Sequence, residues 1–343
     1  YAVTEGRHEG NKKVGNACVQ IKGDPERPGQ EVPRRFPSVL GGQMLPNDVR
    51  GSGRLELARW IADPANPLTA RVMVNRLWHY HFGRGLSPTP SDFGKQGTPP
   101  THPELLDYLA RRFVDGHWSI KSMHRLLMMS RTYQLASDDR PDQARIDPTN
   151  QWLWRYSRQR LDAESLRDTL LAVSGGLDRT PGAAHQFPEQ KGWDFTQHKP
   201  FKAVYESNRR SVYLMTQRIQ RHPFLALFDG PDTNASTARR VTSTTPLQSL
   251  YLMNDPFVHE QAGKFATRLH AERSDDEGRI ELAWLLLYGR PAEAEERTSA
   301  SEYLSSIDKR LADENMPADA RRSKSWESLI RALWMSNEFV YVN

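Results

Sequence analysis

The sequence predicts a mainly α protein: a multi-helix globular domain with a small N-terminal β element and a long irregular central loop. Three observations predict it. From Gly53 onward apolar residues recur at the three-to-four spacing of a buried helix face. Capping and stop residues bracket most of these runs. Before them lies one short strand-like run, Ala17-Cys18-Val19-Gln20-Ile21, closed by the turn-forming Gly23-Asp24-Pro25. Residues 1–50 therefore read as an extended arm with a short β element and 51–343 as the helical domain, with a subdivision expected near 176–208.

The helices follow in order. Asn66-Pro67 predicts an N-cap and a first-turn proline for a helix running to about Phe82 and stopped by Gly83. Thr101-His102-Pro103-Glu104 has the spacing of a capping box, with Leu105, Leu109 and Phe113 as the buried stripe behind it. Gly116 ends that helix and Ser119 caps the next, whose inner face is Ile120, Met123 and Leu127. Asp162 opens a helix with Leu166, Leu170 and Val173 inward, closed at Gly175-Gly176. Periodicity then vanishes to residue 208, in a stretch suited to a functional loop or lid. Ser211 to Met215 reads as a strand. Thr245-Pro246-Leu247-Gln248 repeats the capping box, and Asp255-Pro256 starts a helix with Phe257, Phe265 and Leu269 inward. Helices near 276–288, 291–312 and 323–336 complete a bundle, the middle one charged on most of its surface.

Composition narrows the function classes. With 343 residues and 37% hydrophobic, the chain can build a real core. Mean hydropathy is −0.72, and no apolar run approaches the roughly 20 residues of a membrane span. The net charge of +5 comes from 47 basic and 42 acidic residues mixed along the chain, a solvated surface rather than a nucleic-acid footprint. Cys18 is the single cysteine, so neither an internal disulfide nor a Cys-x-x-Cys-His haem attachment exists here. Any haem must sit on another segment or partner module. The start at Tyr1 is compatible with a removed export signal and does not fix the compartment.

Several runs together carry a family resemblance. They are Asn75-Arg76-Leu77-Trp78, His81-Phe82-Gly83-Arg84-Gly85-Leu86, Asp92-Phe93-Gly94, His102-Pro103-Glu104-Leu105-Leu106-Asp107 and Ser130-Arg131-Thr132-Tyr133 in the first half. Arg160-Leu161-Asp162-Ala163-Glu164, Arg167-Asp168, Phe228-Asp229-Gly230-Pro231-Asp232, Leu252-Met253-Asn254-Asp255-Pro256-Phe257 and Asn337-Glu338-Phe339 follow. Together they resemble the planctomycete-specific PSD-one family, a domain of unknown function found with cytochrome c modules. The resemblance implies an extracytoplasmic setting, a c-type cytochrome module or other domains of the same protein as partners, and a link to polysaccharide. It carries over no catalytic residue.

The polar constellations leave two readings open. Arg160, Asp162, Glu164, Arg167 and Asp168 crowd one helix start, with Glu164, Arg167 and Asp168 on a shared face. As a site, Asp162, Glu164 and Asp168 are the candidate catalytic carboxylates, and Arg160 and Arg167 hold substrate. As structure, Asp162 is an N-cap and the rest an ion-pair network. Arg71, Asn75 and Trp78 share a face that either lines a cleft or anchors loops. Asp229, Asp232 and Asn234 offer oxygen ligands that calcium accepts, without an EF-hand's glycine and terminal glutamate, and Arg239-Arg240 beside them suit an anionic group or a clamp. Trp78, Trp193 and Tyr205 are candidate sugar-stacking surfaces. His79, His81 and His102 do not have the spacing of a zinc motif, and no Gly-x-Ser-x-Gly elbow is present. The function expected is binding or processing of a carbohydrate-type substrate through this Arg/Asp/Glu cleft within a cytochrome-linked assembly. The alternative is a non-catalytic scaffold docking a c-type cytochrome or partner domain. Both place the 160–168 and 229–240 segments together.

Overall fold

The computed structural model describes residues 15–46, 48–49, 51–182, 205, 207–218 and 221–342. They fall into two compact units, one of residues 1–135 with 140–154 and one of residues 136–139 with 155–343. Each unit closes its own hydrophobic core.

The first unit begins with the expected β element. Strand β1 (Ala17–Gln20) pairs antiparallel with β2 (Pro28–Val32), matching Ala17 to Val32 and Cys18 to Glu31 before the register shifts. Helices α1 (Arg54–Ile61), α2 (Thr69–Phe82), α3 (Pro103–Asp115), α4 (Ile120–Met128) and α5 (Pro141–Ile146) follow. The core is Val74, Trp78 and Phe82 of α2, Leu106, Leu109 and Phe113 of α3, and Met123 and Leu127 of α4. Leu105 is only half-buried, packed at the edge of this core, and Ile120 is exposed.

Two predicted helix starts are shifted. Asn66 does act as an acceptor, taking the N–H groups of Leu68 at 3.0 Å and Thr69 at 3.3 Å, but the turn it makes delays α2 to Thr69. Thr101 does not cap α3. Its hydroxyl is taken by Leu86 O at 3.3 Å and His102 Nδ1 at 2.9 Å, so the helix starts one residue later with His102 at the N-cap and no side-chain cap bond. Ser119 caps α4 and Gly83 ends α2 in the left-handed region (φ 76°), where a Cβ is disfavoured.

The second unit opens with β3 (Gln159–Arg160), paired antiparallel with the C-terminal β4 (Tyr341–Val342). Between them lie α6 (Ala163–Val173), α7 (Pro223–Leu227), α8 (Pro246–Asn254), α9 (Pro256–Glu272), α10 (Asp276–Tyr288), α11 (Ala294–Asp313), α12 (Ala318–Trp334) and α13 (Asn337–Val340). Helices α9 and α12 are the central pair, burying Phe265 and Leu269 against Ile330 and Trp334, with the rings of Phe265 and Trp334 stacked at 6.4 Å. Leu166, Leu170 and Val173 of α6 and Ile280 of α10 close the core. The capping box at Thr245 forms in full. The predicted strand at 211–215 is instead a 3-10 turn over Ser211–Tyr213. Alternating apolar residues there serve a turn whose backbone is held by α6 rather than by a neighbouring strand. The expected loop or lid at 176–208 falls mostly outside the described residues. Among those described, no helix is long and apolar enough to cross a membrane.

Candidate functional site

The crowded start of α6 is built as the sequence predicts locally. Asp162 is the N-cap, its carboxylate accepting Ser165 N–H at 2.7 Å. One residue pair further on, Glu164 Oε1 meets Arg240 Nη2 at 2.8 Å. Arg160, on β3, reaches the other loop: its guanidinium donates to Ser243 O and to Gln248 Oε1 at 3.0 Å and lies 3.7 Å from Asp229 Oδ2. The 160–168 and 229–240 segments therefore meet through two ion pairs, and the predicted juxtaposition is real.

Asp229 is held with unusual care. It sits after α7 at φ 62°, a left-handed conformation that Asp tolerates better than most residues. Its carboxylate accepts Ser243 N–H at 2.7 Å and Ser243 Oγ–H at 2.8 Å. The glycine that follows is required, since a Cβ on Gly230 would stand 2.6 Å from Leu225 O. Gln248 completes the ring: it donates from Nε2 to Leu227 O at 2.9 Å while its Oε1 serves Arg160 and the N-cap of α8. Arg160 has 9% of its side chain exposed and Asp229 21%, so both charges are largely withdrawn from water and answered by each other and by hydrogen bonds.

Arg167 and Asp168 do a different job. Arg167 is buried and donates to the carbonyls of Ser207 and Arg209 and to Ser211 Oγ, with its guanidinium over the Phe257 ring at 5.5 Å. Asp168 accepts Ser211 N–H at 2.7 Å. These two side chains fix the 207–211 segment to α6. Asp232 caps its own turn through Asn234 N–H at 2.9 Å, which holds its carboxyl below the usual range. Arg239 is exposed and has no ion pair among the described residues.

The pair Glu164–Arg240 is incompletely matched. It meets through one oxygen and one nitrogen rather than as a bidentate fork, and Glu164 Oε2 and Arg240 Nη1 are buried without a partner among the described residues.

In the first unit, Arg71 Nε bonds Asp107 Oδ1 at 2.6 Å near the surface, raising the arginine's pKa and lowering the carboxyl's. Asn75 is fully buried and brackets the backbone of Ser87, donating to its carbonyl at 3.0 Å and accepting its N–H at 2.8 Å. Trp78 is buried and stacked on Phe82 at 4.1 Å, so it offers no face to a sugar. Tyr205 is half-buried, and Trp193 lies outside the described residues. His81 Nε2 is 2.8 Å from His124 Nδ1, and His102 turns to Thr101. Among the described residues no group of three or more His, Cys, Asp or Glu is arranged to hold a metal ion.

Among the described residues of the second unit, three grooves measure about 920, 580 and 420 Å³. None is lined by a residue of the Arg160–Asp229–Glu164–Arg240 cluster. The one of about 920 Å³ runs along α9 and α12 past Lys264 and Lys324, which are paired with Glu260 and Glu327.

Sequence reasoning missed Ser243 and Gln248, which join the cluster. It also missed Arg290, gripped from both sides by Glu296 and Glu338 at 2.7 to 2.8 Å, which pulls Glu296 down to about 2. The presence of Glu338 within Asn337-Glu338-Phe339 was the available signal.

A helical protein whose loops are fastened by guanidinium–carboxylate pairs is the class that these features define. Within it the chain belongs to the PSD1 family, described as a protein of unknown function (DUF1553), whose model matches residues 53–304. No curated protein and no solved structure matches.

Proposed function

We propose that the chain is a non-catalytic scaffold, docking a c-type cytochrome module or another domain of the same extracytoplasmic protein. One observation carries the first part: in the cluster expected to be a cleft, Arg160, Arg167, Asp168 and Asp229 spend their polar atoms on backbone and side chains of this chain. Such groups position loops, and none of the three grooves described above is lined by them. The cytochrome as partner, and the location outside the cytoplasm, rest on the family resemblance alone. Calcium has little to offer at Asp229 and Asp232, whose oxygens already accept N–H and O–H donors.

The test is a pair of variants read two ways. Asp229→Ala is expected to lower the melting temperature sharply. Arg239→Ala, at an exposed position, is expected to leave it unchanged. Calorimetric titration of the folded chain with a purified c-type cytochrome is expected to show binding. Asp229→Ala that melts like the parent but loses a ligand or an activity would overturn the scaffold reading.

The unshared oxygen of Glu164 and nitrogen of Arg240 favour a second reading. In it a carbohydrate-type ligand completes that pair, Asp162, Glu164 and Asp168 being the acidic groups and Arg71, Asn75, Asp232 and Arg239 outlying contacts. Glu164→Gln separates the two. It should change ligand binding in the second reading and only stability in the first.

A further inference from the structure

We infer that Trp152, in the first unit, is the stacking platform of a binding site for the ring of a neutral carbohydrate. Among the described tryptophans it alone is exposed, at 63%, while the others are buried or half-buried. A ring of this size left in water forgoes one of the larger apolar burials a side chain can make. The chain on both sides is fixed, so the exposure is not that of a loose end. Asp147 accepts the N–H of Gln151 at 2.9 Å and of Trp152 itself at 2.7 Å, and Trp154 Nε1 donates to Asp147 O at 2.9 Å. Leu153, at φ 57°, turns inward against the core while Trp152 is left outside.

The chemistry beside the indole selects the ligand. His102 stands edge-on to Trp152, ring centres 5.2 Å apart at 75°. Thr101 Oγ1 lies 2.9 Å from His102 Nδ1 and 3.3 Å from Leu86 O, which ties down one nitrogen of the imidazole. The other ring nitrogen, Nε2, has no hydrogen-bond partner among the described residues and serves as acceptor or donor according to the tautomer. A flat apolar face next to such a polar group matches a pyranose, whose C–H face stacks and whose hydroxyls both donate and accept. A protein hot spot would instead ring the tryptophan with apolar neighbours that exclude water. Here the turn that carries it reads Pro148-Thr149-Asn150-Gln151.

The experiment is affinity electrophoresis of the whole chain in gels containing hydroxyethylcellulose, glucomannan, xylan or mixed-linkage β-glucan, with alginate as a charged control. Retardation by at least one neutral polymer is expected, reduced at least tenfold in apparent affinity by Trp152→Ala, partly restored in Trp152→Phe and weakened several-fold in His102→Ala. Melting curves of Trp152→Ala should match the parent, since an exposed side chain supports no core. Migration unaffected by every neutral polymer overturns the proposal. So does retardation that Trp152→Ala leaves intact, or retardation confined to alginate. The site is independent of the α6 cluster: failure here leaves the scaffold reading to its own calorimetry, and Asp229→Ala should not alter retardation of the folded chain.

Discussion

Asn75 is a polar side chain on the buried, otherwise apolar face of α2, and its amide has both ends occupied by the backbone of Ser87. Replacing it with alanine strands a buried N–H and a buried C=O, each costing about 1–3 kcal/mol. Asn75→Ala should therefore lose roughly 2–4 kcal/mol in a urea titration. Asn75→Asp, which keeps the acceptor and places a charge there, should be no milder. The type of residue was legible in the sequence, because an asparagine among Val74, Leu77 and Trp78 has to find partners. The partner was not, since Ser87 belongs to a loop whose path is set by packing. His81 gives a pH dependence at the same scale. Burial, and then the neighbouring His124, lower its pKa below the usual 6.5. A folded-state pKa below the unfolded one means that protonation favours the unfolded chain. The stability is thus complete above about pH 6.5 and drains away as pH falls below it. Urea midpoints of the parent should decline between pH 7.5 and 5.5, and His81→Gln should flatten that decline. An equal decline in the variant would assign it to other groups.

At the scale of elements, two identical patterns had different outcomes. Thr245-Pro246-Leu247-Gln248 forms a capping box and Thr101-His102-Pro103-Glu104 does not. In the first, the threonine hydroxyl accepts Gln248 N–H; in the second it is turned to Leu86 O and His102 Nδ1 and makes no cap bond. Local spacing proposes a cap, and tertiary contacts that turn the side chain elsewhere remove it. Thr245→Ala should cost about 1 kcal/mol as a lost cap. Asp229→Ala should cost more, about 3–5 kcal/mol, because it leaves Arg160 largely buried beside an empty position. Its effect should exceed that of the double variant Asp229→Ala with Arg160→Met, in which the charge goes too. Guanidinium chloride titrations of the three proteins give the comparison. If the single variant is at least as stable as the double, Asp229 does not hold this junction. The crowding of charge at α6 announced that partners were needed, and Arg239-Arg240 was rightly seen as their source. The choice of Arg240 over Arg239, and the entry of Ser243 and Gln248, depended on how the chain returns from α7 to α8, which no spacing in the sequence encodes.

On the scale of the whole molecule, the periodicity of α3 and α9 read directly from sequence, but the assignment of their buried faces to two separate cores did not, because a stripe of leucines does not name its partner. Leu109 closes the core of the first unit and Phe265 that of the second. Neither truncation can be relieved by the other core, and each leaves a cavity whose walls are helices fixed by their own caps. Leu109→Ala should destabilise by about 2–5 kcal/mol and Phe265→Ala by about 3–5 kcal/mol. The Leu109→Ala cost should register as lost amide-exchange protection in α2, α3 and α4, and the Phe265→Ala cost in α6, α9 and α12. Because the two sites share no packed neighbour, the double variant should show both patterns at once, each with its single-variant magnitude. Hydrogen exchange followed by mass spectrometry resolves the two sets of peptides. Protection lost across both units from Leu109→Ala alone would mean that the cores unfold as one, and the division into two cooperative units would fall.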